Sequence, residues 1–209
     1  MPVPTPIYRI VHVDNVPLIV ARGALHAPNH APSDGRTYVP IHDADVQASR
    51  QRRAVPCGRG GTIPDYVGFY FGHRSPMLYR LHTGWNVKRV DQSNIVYLVS
   101  TVQAIQGAGL DFVFTDGHGL AAFTEWYHDV MDLQAVDWAA VNQRAWNDTP
   151  ADMDRQRRKQ AEFHVHRSVP WQLIERIGVL NWTVKERVDA VLGRLAPPHR
   201  PPVEIQPSW

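Results

Sequence analysis

The sequence predicts an α+β fold, and three observations carry that reading. Short runs of alternating, β-branched residues are interspersed with helical stretches without a βαβ rhythm, which argues against a doubly wound parallel sheet. No segment repeats. The 209 residues, 44% hydrophobic and 10% aromatic, suffice to bury a real core, so one domain over 1–209 is expected.

Residues 7–13 (IYRIVHV) alternate and are rich in β-branched side chains, so they read as a strand. Asp14 is read as the N-cap of a short helix to Ala21 that Gly23 ends. Residues 26–40 carry Pro, Gly, Asn and Ser and read as a long loop, a class usually functional or disordered. Strands are expected at 66–71 and 95–100, with a short helix at 101–106. Another strand at 111–115 is ended by the turn Asp116-Gly117-His118-Gly119. Periodicity then turns helical over 122–145, with Asp137 a cap before Trp138. Residues 150–160 read as a basic helix running into a strand at 161–166. A helix near 170–176, a strand at 177–179 and a helix at 183–195 follow. The Pro-rich ends, 2–6 and 197–209, are read as loose or extended tails.

Composition excludes several classes. No apolar run approaches the roughly 20 residues of a membrane span, and residues 1–10 lack a basic-then-apolar leader, so a soluble cytoplasmic protein is expected. The single cysteine, Cys57, rules out a disulfide framework and a cysteine-rich zinc site. Net charge is +2, yet the basic residues are 19 Arg and 3 Lys. Arginine offers a planar fork for phosphate and a flat face for bases, although a GC-rich genome spells the same bias. The cations cluster at Arg50, Arg52, Arg53 and Arg59 and again at Arg155, Arg157, Arg158 and Lys159. Glu125, Asp129, Asp132, Asp137 and Asp148 lie between them.

No phosphate-binding glycine loop follows a strand, and G-x-S-x-G and H-E-x-x-H are absent. On the 161–166 strand, Glu162, His164 and His166 share one face and Phe163 and Val165 the other. A carboxylate and two imidazoles could hold a metal, with His118 as a further ligand; alternatively Glu162 alone acts at a reaction centre beside a packed histidine. Tyr66, Phe69, Tyr70 and Phe71 read as core, or as supplying a ring that stacks on nicotinamide or a base.

The order of segments carries a resemblance. Residues 7–15 (IYRIVHVDN), the Arg cluster 50–53, 65–79 (DYVGFYFGHRSPMLY), 95–99 (IVYLV), 115–118 (TDGH) and 157–163 (RRKQAEF) together resemble the DarT family of DNA ADP-ribosyltransferase toxins, from about residue 7 to 180. The resemblance implies an ADP-ribosyltransferase fold, a split β-sheet core with NAD in its cleft. It also implies transfer of ADP-ribose to a base in single-stranded DNA: thymine at a ring nitrogen in the commonest type, guanine in a relative. NAD is then a substrate and no metal is needed. The implied partners are single-stranded DNA and a DarG-like macrodomain antitoxin, with no membrane and a monomeric enzyme.

Site residues follow by position. Glu162 is implied as the catalytic carboxylate that stabilises an oxocarbenium-like ribose. The second catalytic residue, an Arg in the loop–helix over NAD, matches Arg50, with Arg53 the alternative. NAD contacts are implied for His12, Val13, Asp14, Asn15, Arg50, Arg53 and Tyr70. DNA contacts are implied for Ser75, Pro76, Met77, Leu78, Tyr79 and Arg80, for His118, for Ala145, Trp146, Asn147 and Asp148, and for Arg155, Gln156, Arg157, Arg158 and Lys159. The competing reading is a metal-dependent hydrolase or nuclease built on Glu162, His164, His166 and His118.

Overall fold

The computed structural model describes residues 1–41, 44–84, 89–145 and 147–207. In chain order its strands are β1 (Pro6–His12), β2 (Ala24–His26), β3 (Tyr66–Tyr70), β4 (Ile95–Thr101) and β5 (Phe112–Thr115), then β6 (Trp126–Tyr127), β7 (Glu162–His166), β8 (Ser168–Pro170), β9 (Arg176–Val179) and β10 (Val203–Ile205). The helices are α1 (Val16–Arg22), α2 (Ala44–Arg52), α3 (Pro76–Thr83), α4 (Val102–Gly107), α5 (Trp138–Asn142), α6 (Arg155–Arg158) and α7 (Trp182–Leu195). Eight strands form one sheet in the order β10-β9-β4-β1-β3-β7-β5-β6, and β2 pairs with β8 beside it. Only β10–β9 is parallel among these pairings, so the α+β expectation holds.

The sheet is split in its middle. β1 pairs with β4 at seven successive positions, from Pro6↔Thr101 to His12↔Ile95, but meets β3 only at Tyr8↔Tyr70. Beyond that pair the strands part, and a cavity opens between them. The main core lies under both halves, with Ile7, Val11, Phe69, Leu98, Phe114, Phe163 and Ile177 buried together and closed by Val184, Val188 and Leu192 of α7. A second apolar cluster, with Tyr8, Ile10 and Tyr97, packs on the opposite face.

Several expected elements need correction. Asp14 does not cap α1: a 3₁₀ turn over Val13–Asn15 comes first, its Asp14 N–H donating to His12 Nδ1 at 3.2 Å. The left-handed Gly23 (φ 67°) does end α1 as read. The 122–145 stretch is not one helix. It breaks into β6, a 3₁₀ segment Val130–Ala135 and α5, because the Asp129 and Asp137 side chains each capture a backbone N–H (Met131 and Ala140, both 2.9 Å) and restart the chain. The basic helix shrinks to α6, one turn, and the helix near 170–176 to a 3₁₀ turn at Trp171–Leu173. The tails are tied down: Thr5 is buried, Trp171 Nε1 donates to His199 O at 2.9 Å, and β10 adds to β9. Among the described residues no helix is long and apolar enough to cross a membrane.

Candidate active site

A cavity of about 340 Å³ occupies the split. Arg9 and Val11 of β1 and Asn15 line one side; Gly68 and Tyr70 of β3 and Glu162 of β7 line the other. Tyr38 and Val39 of the 26–40 loop, with Gln47 and Arg50 of α2, close over it. That loop is anchored rather than free, since Asn15 Nδ2 donates to Val39 O (3.0 Å) and Val39 N to Asn15 Oδ1 (2.7 Å).

Glu162 begins β7 opposite Tyr70 and is 1% exposed. Its backbone N–H donates to Thr115 Oγ1 at 3.1 Å, which fixes the strand start against β5. Arg50 reaches it from α2 as a fork, Nη1 to Oε1 at 3.1 Å and Nη2 to Oε2 at 2.9 Å. His164 Nε2 lies 2.9 Å from Oε2. Burial alone would raise the Glu162 carboxyl, but Arg50 first, then His164 and His118, hold it well below the usual carboxylate range. Burial opposes the charge on Arg50 too, yet Glu162 outweighs it and the guanidinium is held more firmly charged. Burial and the Glu162 charge push the Tyr70 phenol up to about 12, so it stays protonated.

The turn after β5 closes the site from the other side. His118 donates its backbone N–H to Arg157 O (3.1 Å), its carbonyl accepts from Thr124 Oγ1 (2.8 Å), and burial lowers its imidazole despite the pull of Glu162. Gly119 packs closely here: a Cβ would stand a tight 3.0 Å from Glu162 Oε2 and in ordinary contact, 3.5 Å, with Ile63 and Trp126.

The cavity lining takes in Asn15, Arg50 and Tyr70 of the expected NAD residues, but not His12, Val13, Asp14 or Arg53. His12 caps the 3₁₀ turn, Val13 is core and Asp14 pairs with Arg187 at 2.6 Å. Arg53 lies one turn past Arg50, its Nε buried without a hydrogen-bond partner among the described residues. Arg52 is exposed, so α2 sends Arg50 and not Arg52 into the site. Phe69 and Phe71 are core as read.

Arg9 was missed. Its Nη1 donates to Gly68 O across the split at 2.6 Å, while Nε is buried without a partner; burial, and Arg50 beside it, lower its pKa. The signal was there: Arg9 is the lone cation between Ile7 and Val11 on the core-facing side of β1.

Of the residues implied for DNA, Ser75 caps α3 through Leu78 N (3.3 Å), Met77 lines the cavity, Leu78 packs beside the second apolar cluster, and Tyr79 is 46% exposed. Pro76 opens α3, and the charge of Arg80 bears on Tyr70 and His118. Ala145, Asn147 and Asp148 are exposed, and Trp146 lies outside the described residues. The basic run is tied to acids. Arg155 pairs with Asp152 (3.3 Å), Arg157 with Asp154 (2.7 Å) and Asp116 (2.9 Å), and Arg158 with Asp137 and Asp152. Gln156 N donates to Asp148 Oδ1 at 2.8 Å. Lys159 is buried, its Nζ bonded to Val141 O (3.0 Å) and Gln143 O; burial and Arg74 lower it to about 8. These contacts tie the 116–160 segment to itself.

The metal constellation does not assemble. No three His, Cys, Asp or Glu side chains converge as a metal site among the described residues, and His166 packs on Tyr66 (5.1 Å between centroids) and His30 (5.9 Å) instead. What remains is an ionised carboxylate, held dry beside a cationic cleft, suited to stabilising positive charge on a bound sugar.

Comparison with known proteins follows the same line. Residues 8–209 match a family model described as DarT, ssDNA thymidine ADP-ribosyltransferase. A DNA ADP-ribosyl transferase of Thermus sp. (strain 2.9) is 40% identical over 208 residues, covering 100% of this chain and 97% of the relative. A solved structure of Thermus sp. 2.9 DarT in complex with ADP-ribosylated ssDNA superposes with a TM-score of 0.92 at 40% identity, covering 100% of this chain and 97% of that one. A complex of the same protein with NAD+ gives 0.88 at 39% identity, covering 100% and 98%. A Thermosipho africanus protein named as a fusion of DNA ADP-ribosyl transferase and DNA ADP-ribosyl glycohydrolase is 29% identical over 123 residues, 58% of this chain and 29% of its own length.

Proposed function

Because the chain belongs to the DarT family, we propose that it transfers ADP-ribose from NAD to thymine in single-stranded DNA, releasing nicotinamide. The observation that carries this reading is the forked Arg50–Glu162 pair set where β1 and β3 part.

The residues present suit the substrate. Arg9 and Arg50 offer positive charge for a pyrophosphate, Tyr38 and Tyr70 offer faces for flat rings, and Glu162 offers an acceptor for a ribose hydroxyl. NAD supplies there an electrophilic ribose carbon, as its bond to nicotinamide breaks and the electron pair leaves with nicotinamide. Glu162 then acts electrostatically, its charge facing the positive charge that develops on the sugar. Arg50 neutralises pyrophosphate; held charged by Glu162, it is poorly suited to accept a proton. Arg9 lines the cavity from β1, the strand on which the resemblance implied an NAD contact from His12. A ring nitrogen of thymine forms the new bond to the ribose carbon, and its proton passes to water.

The base enters past Ser75–Arg80, where Met77 already lines the cavity. A duplex keeps its bases paired, and extruding one costs a few kcal/mol, which favours an unpaired strand. Thymine is preferred over guanine on the family description. A toxin role, opposed by a DarG-like macrodomain antitoxin that removes the mark, is supported by the name of the Thermosipho fusion.

The test offers NAD and matched oligonucleotides that differ only at thymine or guanine, each free and annealed, with mass detection of added ADP-ribose. Modification confined to the free thymine strand is expected. Equal marking of annealed strands would overturn the strand assignment, and a mark confined to guanine would overturn the base.

A further inference from the structure

Glu162 has a neighbour that the transfer reaction has not yet used. His164 sits two residues along β7, so it shares the face of Glu162. The ring is 1% exposed, and its Nε2 lies 2.9 Å from Glu162 Oε2, off the ideal hydrogen-bond line. Trp126 stacks on it with centroids 5.5 Å apart and planes at 23°, and Tyr66 meets it edge-on at 6.5 Å. Gly68 is its partner across β3–β7, where a Cβ would stand 3.4 Å from Nδ1. The imidazole is therefore packed under Trp126 on one face, with Tyr66 edge-on and the Gly68 backbone close to Nδ1.

The two carboxylate oxygens are not equivalent. Oε2 faces both Arg50 Nη2 and His164 Nε2 at 2.9 Å, whereas Oε1 takes Arg50 Nη1 at 3.1 Å. An imidazole nitrogen that close to a carboxylate oxygen must carry the proton, since two lone pairs would repel. Burial, reinforced by Arg50 and opposed by Glu162, holds the imidazole below its ordinary pKa, so the ring is neutral with its proton on Nε2. An Arg50 turned to the pyrophosphate would leave the carboxylate, whose last torsion is broad and two-fold. Only a second donor can then keep one oxygen aimed.

We propose that His164 is a positioning residue for the transfer: it pins Oε2 and so presents Oε1 to the ribose hydroxyl of NAD. This rests on the assignment of Glu162 to the ribose. The off-line contact belongs to the resting state, and such hydrogen bonds commonly tighten when substrate binds.

Four variants separate the possibilities. His164→Leu fills the site without a donor. His164→Gln places an amide nitrogen near Nε2, and His164→Asn places one near Nδ1 only. Glu162→Ala is the control. With NAD and a thymine-containing single strand, His164→Leu and His164→Asn should lose roughly 10- to 100-fold in kcat, the scale of a misaimed reacting group, with KM for NAD within about twofold. His164→Gln should recover most of the loss. Independently of turnover, ¹⁵N-imidazole spectra should show His164 protonated at Nε2, with that signal moving in Glu162→Ala. Wild-type kcat in His164→Leu, or equal kcat in the Gln and Asn variants, overturns the proposal, as does a proton on Nδ1. Turnover by Glu162→Ala would instead overturn the assignment of the carboxylate itself.

Discussion

Replacing Arg50 with methionine should leave a buried carboxylate without the guanidinium that holds it ionised. Glu162 is 1% exposed and takes two of its contacts from Arg50, so little water can substitute. Removing one partner of such a pair costs about 3–5 kcal/mol, and at about 2–4 °C per kcal/mol for a chain of this size the melting temperature should fall by roughly 6–20 °C. The pH dependence gives the sharper test. In the native protein the Glu162 carboxyl sits below its ordinary value. The pair therefore stabilises the fold above the unfolded-state pKa of about 4.3, and that stability is lost as pH falls through the folded value. In Arg50→Met, burial is left to dominate and the folded pKa rises above the unfolded one. The penalty is then fully present above the raised value and shrinks as pH falls towards about 4.3. Melting curves of both proteins across that range should show the gap widest near neutrality and narrowing in acid. Adding Glu162→Gln, which removes the stranded charge, should restore most of the lost stability near neutrality. A variant melting within about 2 °C of the native protein, or a gap that widens in acid, would refute the reasoning.

Glu162→Gln alone should abolish transfer, read as ADP-ribose added to a single strand, while the protein still melts cooperatively. Arg9→Ala should raise KM for NAD at least tenfold, while His12→Ala, which loosens a 3₁₀ cap, should change it little; the reverse order in steady-state kinetics would restore His12 to the site. Gly119→Ala sets a methyl 3.0 Å from a carboxylate oxygen that Arg50 prevents from yielding, so activity should drop about tenfold or more with the melting temperature nearly unchanged. Transfer should persist in EDTA, and its loss there would revive the metal-dependent alternative.

The strands that build the site were legible because each advertises itself locally. β1, β3, β4, β5 and β7 are short β-branched or aromatic runs, and period two along β7 put Glu162 and His164 on one face. Arg50 was legible only through the resemblance, since three arginines within four positions look alike until a fold selects the one facing Glu162. Long-range pairing stayed hidden. Nothing in the basic run 155–159 says that Asp116, Asp137 and Asp152 will fold back upon it. The helical periodicity over 122–145 misled for a physical reason: Trp126 and Tyr127 find more in pairing with Thr115 and Phe114 than in a helix, and two aspartates interrupt the remainder. Arg9 needed only a stricter question, why a cation should stand on the core side of a strand.

The sheet that carries this site also limits its own growth. Its outermost strands, β6 and β10, are two and three residues long. An edge of that length exposes few unpaired N–H and C=O groups, too few to template a strand from another molecule. Pro201 and Pro202 stand immediately before β10 and Pro207 two residues after it, each without an N–H to donate. The short edges, proline-flanked at β10, thus offer a strand from a neighbouring chain little to pair with.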